Sequence, residues 1–123
     1  MIGKIYWSVF PYFDMKTRQN RFKKRPVLII AGPHNNDYTV LPVSSVSIRS
    51  NLHPKFDIML DPVAYPELRL SKTCYLRTHK QTIVHQAELT NLIGDLKHDY
   101  PDTYLKALEL LEEFNSLVMN QAL

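Results

Sequence analysis

The stretch Pro26 to Ser44, PVLIIAGPHNNDYTVLPVS, constrains the fold of this chain more than any other. From Pro26 to Ala31 every residue is apolar, the pattern of a strand covered on both faces. Tyr38 to Ser44 reads as its partner. Between them, Gly32, Pro33, Asn35, Asn36 and Asp37 supply the residues that turns require, so the stretch reads as an antiparallel hairpin.

Further elements surround this hairpin. Ile2 to Phe10 is rich in β-branched and aromatic residues and reads as an opening strand that ends at Pro11, with a long basic loop after it. Asp57 to Leu60 and Cys74 to Val84 are further strand candidates, and one helical turn is expected at Pro62 to Tyr65. From about Pro101, Tyr104, Leu108, Leu111 and Val118 recur at helical spacing, with Leu105, Phe114 and Leu117 widening the stripe. Pro101 suits the first turn, where its missing N–H has no helical partner, and Asp99 or Asp102 there would face the positive end of the dipole. Several short strands followed by one amphipathic helix predict a mainly β, α+β fold, with a small, bent, partly closed barrel and the helix packed on it. At 123 residues, 45% apolar, the chain is expected to form a single domain over residues 1–123.

Composition narrows the classes of function. The single cysteine, Cys74, has no disulfide partner in the chain, and no stretch resembles a signal peptide or a membrane span, so a cytoplasmic protein is expected. Glu109, Glu112 and Glu113 on the polar face of the helix argue against a membrane-surface role. Cysteine-pair zinc spacing, His-Glu-x-x-His and glycine-rich phosphate loops are all missing, and His34, His53, His79, His85 and His98 are scattered. Neither a metal nor a cofactor is expected. The net charge of +3 is modest but segregated: Lys16 to Arg25 holds six cations and no acid, while Asp99 to Glu113 is acidic apart from Lys106.

Four of the six residues before Pro26 are cationic, so a charged edge adjoins a buried strand. Proline fixes its own φ and biases the preceding residue towards extended geometry, which places Arg25 at a rigid rim. Its planar guanidinium suits a phosphate, and Lys23 and Lys24 add attraction for an anionic backbone. Antiparallel pairing brings the end of the second strand, with Ser44, Ser45 and Ser47, to the same end of the hairpin, so Arg25 and Ser44 should lie side by side.

In order, GKIYWSVF, a basic stretch, KRPVLII, a hairpin, LPVSS, the pair Arg77-Thr78 and a terminal amphipathic helix resemble the MazF/PemK-like toxins of bacterial toxin–antitoxin pairs. The resemblance spans Gly3 to Val118. It implies an SH3-like barrel with a C-terminal helix, a homodimer, a cognate antitoxin, and a metal-independent endoribonuclease that cleaves single-stranded RNA at selected sequences. Arg25 and Ser44 match the recurring active-site pair, although threonine is common at the second position.

The sequence also departs from that family. The loop before KRPVLII carries cations where many members have an acid or a histidine, and Lys72-Thr73-Cys74 stands where some have Arg-x-Asp. Lys72 is a candidate replacement cation, whereas Cys74 reads as a small buried hydrophobe. If YLRTHKQ is one strand, His79 shares a face with Arg77 and is a candidate base. The expected catalytic set is therefore Arg25 and Ser44 with His79 and Lys72, and the expected RNA contacts are Lys23, Lys24, Ser45, Arg77, Thr78 and Lys80. The missing carboxylate keeps a second reading open, a non-catalytic member of the same fold that binds RNA or acts as a gyrase-poison-type protein-binding toxin.

Overall fold

The computed structural model describes residues 1–46 and 48–123. Its strands are β1 (Lys4–Asp14), β2 (Gln19–His34), β3 (Asp37–Ser44), β4 (Asp57–Leu60), β5 (Cys74–Arg77), β6 (Thr82–His85) and β7 (Leu89–Asp95), followed by α1 (Leu96–Asp99) and α2 (Pro101–Ala122). They form one seven-stranded sheet in the order β4-β5-β3-β2-β1-β7, with β6 also paired to β3. The sheet curls into a half-barrel, and the architecture is mainly β, a small partly closed barrel with a C-terminal helix.

The hairpin anticipated from the sequence is the centre of this sheet. β2 pairs with β3 through Val27↔Pro42, Leu28↔Leu41 and Ile29↔Val40, and with β1 on its other side. Alternation then sends neighbouring residues of β2 into two cores. Leu28 joins Ile5, Leu41, Val43, Leu60, Leu76, Leu96, Tyr104 and Ala107 in the main core, while Val27 and Ile29 join Tyr38, Val40 and Val84 in a smaller one. Gly32 lies within β2 at the register shift before the Asn35-Asn36 turn, with φ +111°, and an added Cβ would lie 2.8 Å from the Asp37 carbonyl oxygen, so only glycine fits there.

Several boundaries differ from the sequence reading. β1 does not stop at Pro11 but runs to Asp14, and the basic stretch is no loop: Gln19 to Arg25 is the first half of β2, paired with β1 from Asp14↔Gln19 to Ser8↔Arg25. Proline is tolerated because β1 pairs with β7 only as far as Ser8↔Leu89, so Pro11 lies where the strand has an open edge. Cys74 to Val84 is likewise two strands. β5 pairs with β4 and with the end of β3, whereas β6 pairs with the beginning of β3, so the chain must turn a corner between them. Thr78 pins that corner, with its N–H and its hydroxyl both donating to the Phe56 carbonyl at 3.1 and 2.6 Å. β7 was not foreseen.

The helical turn at Pro62 to Tyr65 is present as one hydrogen bond, Tyr65 N–H to the Asp61 carbonyl at 2.9 Å. In α2 the buried seam is Tyr104, Ala107 and Leu110, with Leu108 and Leu111 packed at the margin of the main core. Leu105, Leu117 and Val118, assigned to the stripe from periodicity, are exposed: Leu105 is on the outer face of the covered first turns, and Leu117 and Val118 lie beyond the last buried residue, Leu110. No helix is long and apolar enough to cross a membrane among the described residues.

Candidate nucleic-acid interface

The β2–β3 register decides what meets at the open end of the hairpin. Its last pair towards that end is Val27↔Pro42, and two further residues along both strands set Arg25 opposite Ser44. Both line a cleft of about 410 Å³ together with Lys23, Lys24, Ser45 and Arg77, and Val46 and Asn51 complete its wall. Four of those side chains are cations, and among the described residues that line the cleft none is acidic. Lys23, Lys24 and Arg25 are exposed, and none has a carboxylate within 4.0 Å among the described residues. Their charge is therefore available to an anion rather than spent on an internal partner.

Arg77 is held differently. Opposite it across the β4–β5 pair is Asp57, whose side chain is 2% exposed. Arg77 Nε donates to Asp57 Oδ1 at 3.1 Å, and one terminal nitrogen donates to Asp57 Oδ2 at 3.3 Å and to the Asn51 carbonyl at 2.8 Å. Asp57 also accepts the His53 N–H at 2.8 Å. A forked, charge-assisted contact of this kind fixes the plane of the guanidinium, so Arg77 meets the cleft as a positioned cation.

His79 lies behind this pair rather than in the cleft. Its ring packs against His53, Phe56 and Phe114, with centroids 5.2, 6.3 and 6.0 Å away. Its Nδ1 is buried with no hydrogen-bond partner among the described residues, 3.7 Å from Asp57 Oδ1. Burial pushes its pKa below the ordinary imidazole value, and the nearby charges of Arg77, Lys80 and His53 push the same way against the opposing pull of Asp57. His79 and Arg77 thus stand on the same side, both within 4 Å of Asp57 Oδ1, but the strand ends at Arg77 and His79 belongs to the corner, where it does not line the cleft.

The other sequence-derived candidates scatter. Thr78 is fully buried and its hydroxyl is committed to Phe56, which corrects its assignment as an RNA contact. Lys80 is an exposed residue of the corner and does not line the cleft. Lys72 lines a separate cleft of about 370 Å³ with Trp7, Pro26, Arg69, Leu70 and Cys74. Pro26 and Arg25 are consecutive in β2 and project to opposite faces, so Lys72 stands across the sheet from Arg25 and cannot act as the replacement cation beside it. Cys74 is buried, and burial pushes its thiol pKa up against the pull of Lys72, as suits a packing residue. Ser47 lies outside the described residues.

Sequence reasoning missed Asp57 and Asn51. A carboxylate was sought immediately ahead of Arg77, whereas the one that meets it comes from the neighbouring strand. The available signal was an acid opening one short strand, FDIML, and a cation closing another, CYLR. Among the described residues no three His, Cys, Asp or Glu side chains gather as a metal site. No protein-family model matches the chain, and no curated protein matches it.

Proposed function

We propose that this protein is a metal-independent, sequence-selective endoribonuclease of the MazF/PemK-like kind, the toxin of a toxin–antitoxin pair, acting on single-stranded RNA in the cytoplasm. The observation that carries the reading is the meeting of Arg25 and Ser44 in one open cleft walled by Lys23, Lys24 and Arg77. RNA brings its own nucleophile: the 2′-hydroxyl attacks the adjacent phosphorus, the P–O5′ bond breaks, and the products are a 2′,3′-cyclic phosphate and a 5′-hydroxyl. The protein aligns the strand and stabilises the charge that develops on phosphorus. Arg25 neutralises the non-bridging oxygens and donates hydrogen bonds to the leaving O5′, Ser44 donates to the scissile phosphate, Arg77 with the two lysines holds the flanking phosphates, and water takes the 2′-hydroxyl proton and returns one to O5′. A homodimer and an antitoxin segment that occupies the cleft belong to the same proposal.

One observation favours the alternative, a member of the fold that binds RNA or a protein without turnover: Asp57, the carboxylate that meets the cleft residue Arg77, is engaged by it. A placed general base contributes about 10²–10⁴-fold, so its loss slows cleavage without forbidding it. The test is incubation of purified protein with a long RNA in EDTA. Discrete fragments ending in 2′,3′-cyclic phosphate, lost in Arg25→Ala, are expected; intact RNA bound by the wild type would select the alternative.

A further inference from the structure

The ribbon formed by the outer halves of β1 and β2 extends beyond the β2–β3 pairing, and its two faces differ in chemistry. Cross-strand pairs Ser8↔Arg25, Phe10↔Lys23 and Tyr12↔Arg21 put cations and aromatics alternately on one face. The opposite face carries Val9↔Lys24, Pro11↔Phe22 and Phe13↔Asn20, one cation against the three of the first face. On the first face, Arg25, Lys23 and Arg21 are alternate residues of one strand, spaced about 6.8 Å apart, close to the phosphate repeat of an extended single strand. The aromatics beside them are held. Phe10 packs on the smaller core, and Lys23 Nζ sits 5.3 Å from the centroid of the Tyr12 ring, which is 37% exposed. A second cleft of about 250 Å³, lined by Phe10, Pro11, Tyr12, Lys23 and Arg25, shares Lys23 and Arg25 with the main cleft, so the two are continuous. The strip ends at Asp14, which pairs with Arg21 at 3.4 Å in an exposed contact that a phosphate can outcompete.

From this we infer that the ribbon is a second part of the nucleic-acid site, a stacking platform on which bases next to the scissile linkage rest on Tyr12 and Phe10 while Lys23 and Arg21 follow the phosphates. Interleaved cations and ring faces are what a single strand needs: the backbone is tracked by charge, and bases stack whatever their identity. An acidic peptide would use the cations but gain nothing from ring faces set between them. The inference rests on the RNA reading above and extends the path of the strand beyond Arg25 and Ser44.

The test uses uncleavable strands with 2′-O-methyl riboses, three and twelve nucleotides long, with binding read by fluorescence anisotropy. In Tyr12→Ala the affinity gained on going from the short to the long strand should shrink by about tenfold, and Tyr12→Phe should restore it. Arg21→Gln should flatten the dependence of log K on log salt by about 0.7. If the wild type binds the long strand and both Tyr12→Ala and Arg21→Gln match it in affinity and salt slope, the platform is overturned while the RNA reading stands. If the wild type binds neither strand, both fall. A poly-glutamate peptide bound as tightly as the long strand, with Tyr12→Ala without effect on either, would mark the strip as a plain anion surface and would also overturn the inference.

Discussion

Removing the Asp57 carboxylate tests how the far wall of the cleft is held. Asp57→Ala deletes an acceptor that takes two bonds from the Arg77 guanidinium and one from the His53 N–H, and it leaves a guanidinium only 17% exposed without its counter-charge. Breaking a buried ion pair by removing one partner costs about 3–5 kcal/mol. Water reaches part of the Arg77 side chain and the Asn51 carbonyl remains as an acceptor, so the lower end, about 3 kcal/mol, is expected. With a urea m-value of about 1–3 kcal/mol/M, the unfolding midpoint should fall by roughly 1–3 M. A domain stable by about 5–15 kcal/mol survives that loss, so the variant can still be measured folded. Arg77→Ala should be at least as costly, because it strands a carboxylate 2% exposed. The double variant should be destabilised by clearly less than the two single effects added together, with a coupling of at least about 1 kcal/mol. Additivity within about 0.5 kcal/mol in the denaturation cycle would show that the two residues do not act as a pair, and the account of Arg77 as a positioned cation would be wrong.

Two further outcomes follow from the same geometry. Because burial lowers the His79 pKa from its ordinary value of 6.5, the unfolded chain binds more protons near that pH, so stability is full above pH 6.5 and falls as pH drops through the lowered value. His98, raised by its hydrogen bond to Asp99, tilts the slope the opposite way; unfolding of the wild type and of His79→Phe between about pH 8 and pH 5 isolates the His79 part, and equal slopes would refute it. Thr78→Val should cost about 1 kcal/mol in thermal or urea unfolding, since the Phe56 carbonyl keeps the Thr78 N–H, while RNA affinity measured on folded protein should stay within about twofold; a larger affinity loss would return Thr78 to the interface.

The parts legible in the sequence were those written in local pattern. Pro26 to Ala31 and Tyr38 to Ser44 can be paired from sequence because an apolar run, a cluster of turn residues and a second apolar run leave little choice of partner, and that pairing puts Arg25 and Ser44 at the same end of the hairpin, where both line the cleft. The terminal helix followed from its period, although its buried seam proved to be Tyr104, Ala107 and Leu110. What failed depended on neighbours far along the chain. Lys16 to Lys24 looked like a loop because charged strands with solvent on both faces carry no apolar alternation, and only pairing to β1 makes most of that stretch a strand. His79 and Thr78 were assigned by alternation along a strand that in fact ends at Arg77, where the curling sheet turns.

By itself, then, the amino-acid order determined the hairpin, the helix and the rim where a guanidinium meets a hydroxyl, because each is set by residues close together in sequence or by one tight turn. Tertiary structure alone decided that the carboxylate serving Arg77 is Asp57 from another strand, that Lys72 belongs to the opposite face, and that Arg21, Lys23 and Arg25 share a side with Phe10 and Tyr12. Those outcomes depend on how the sheet curls and which strands become neighbours, and that is fixed by burial of the whole core rather than by any local pattern.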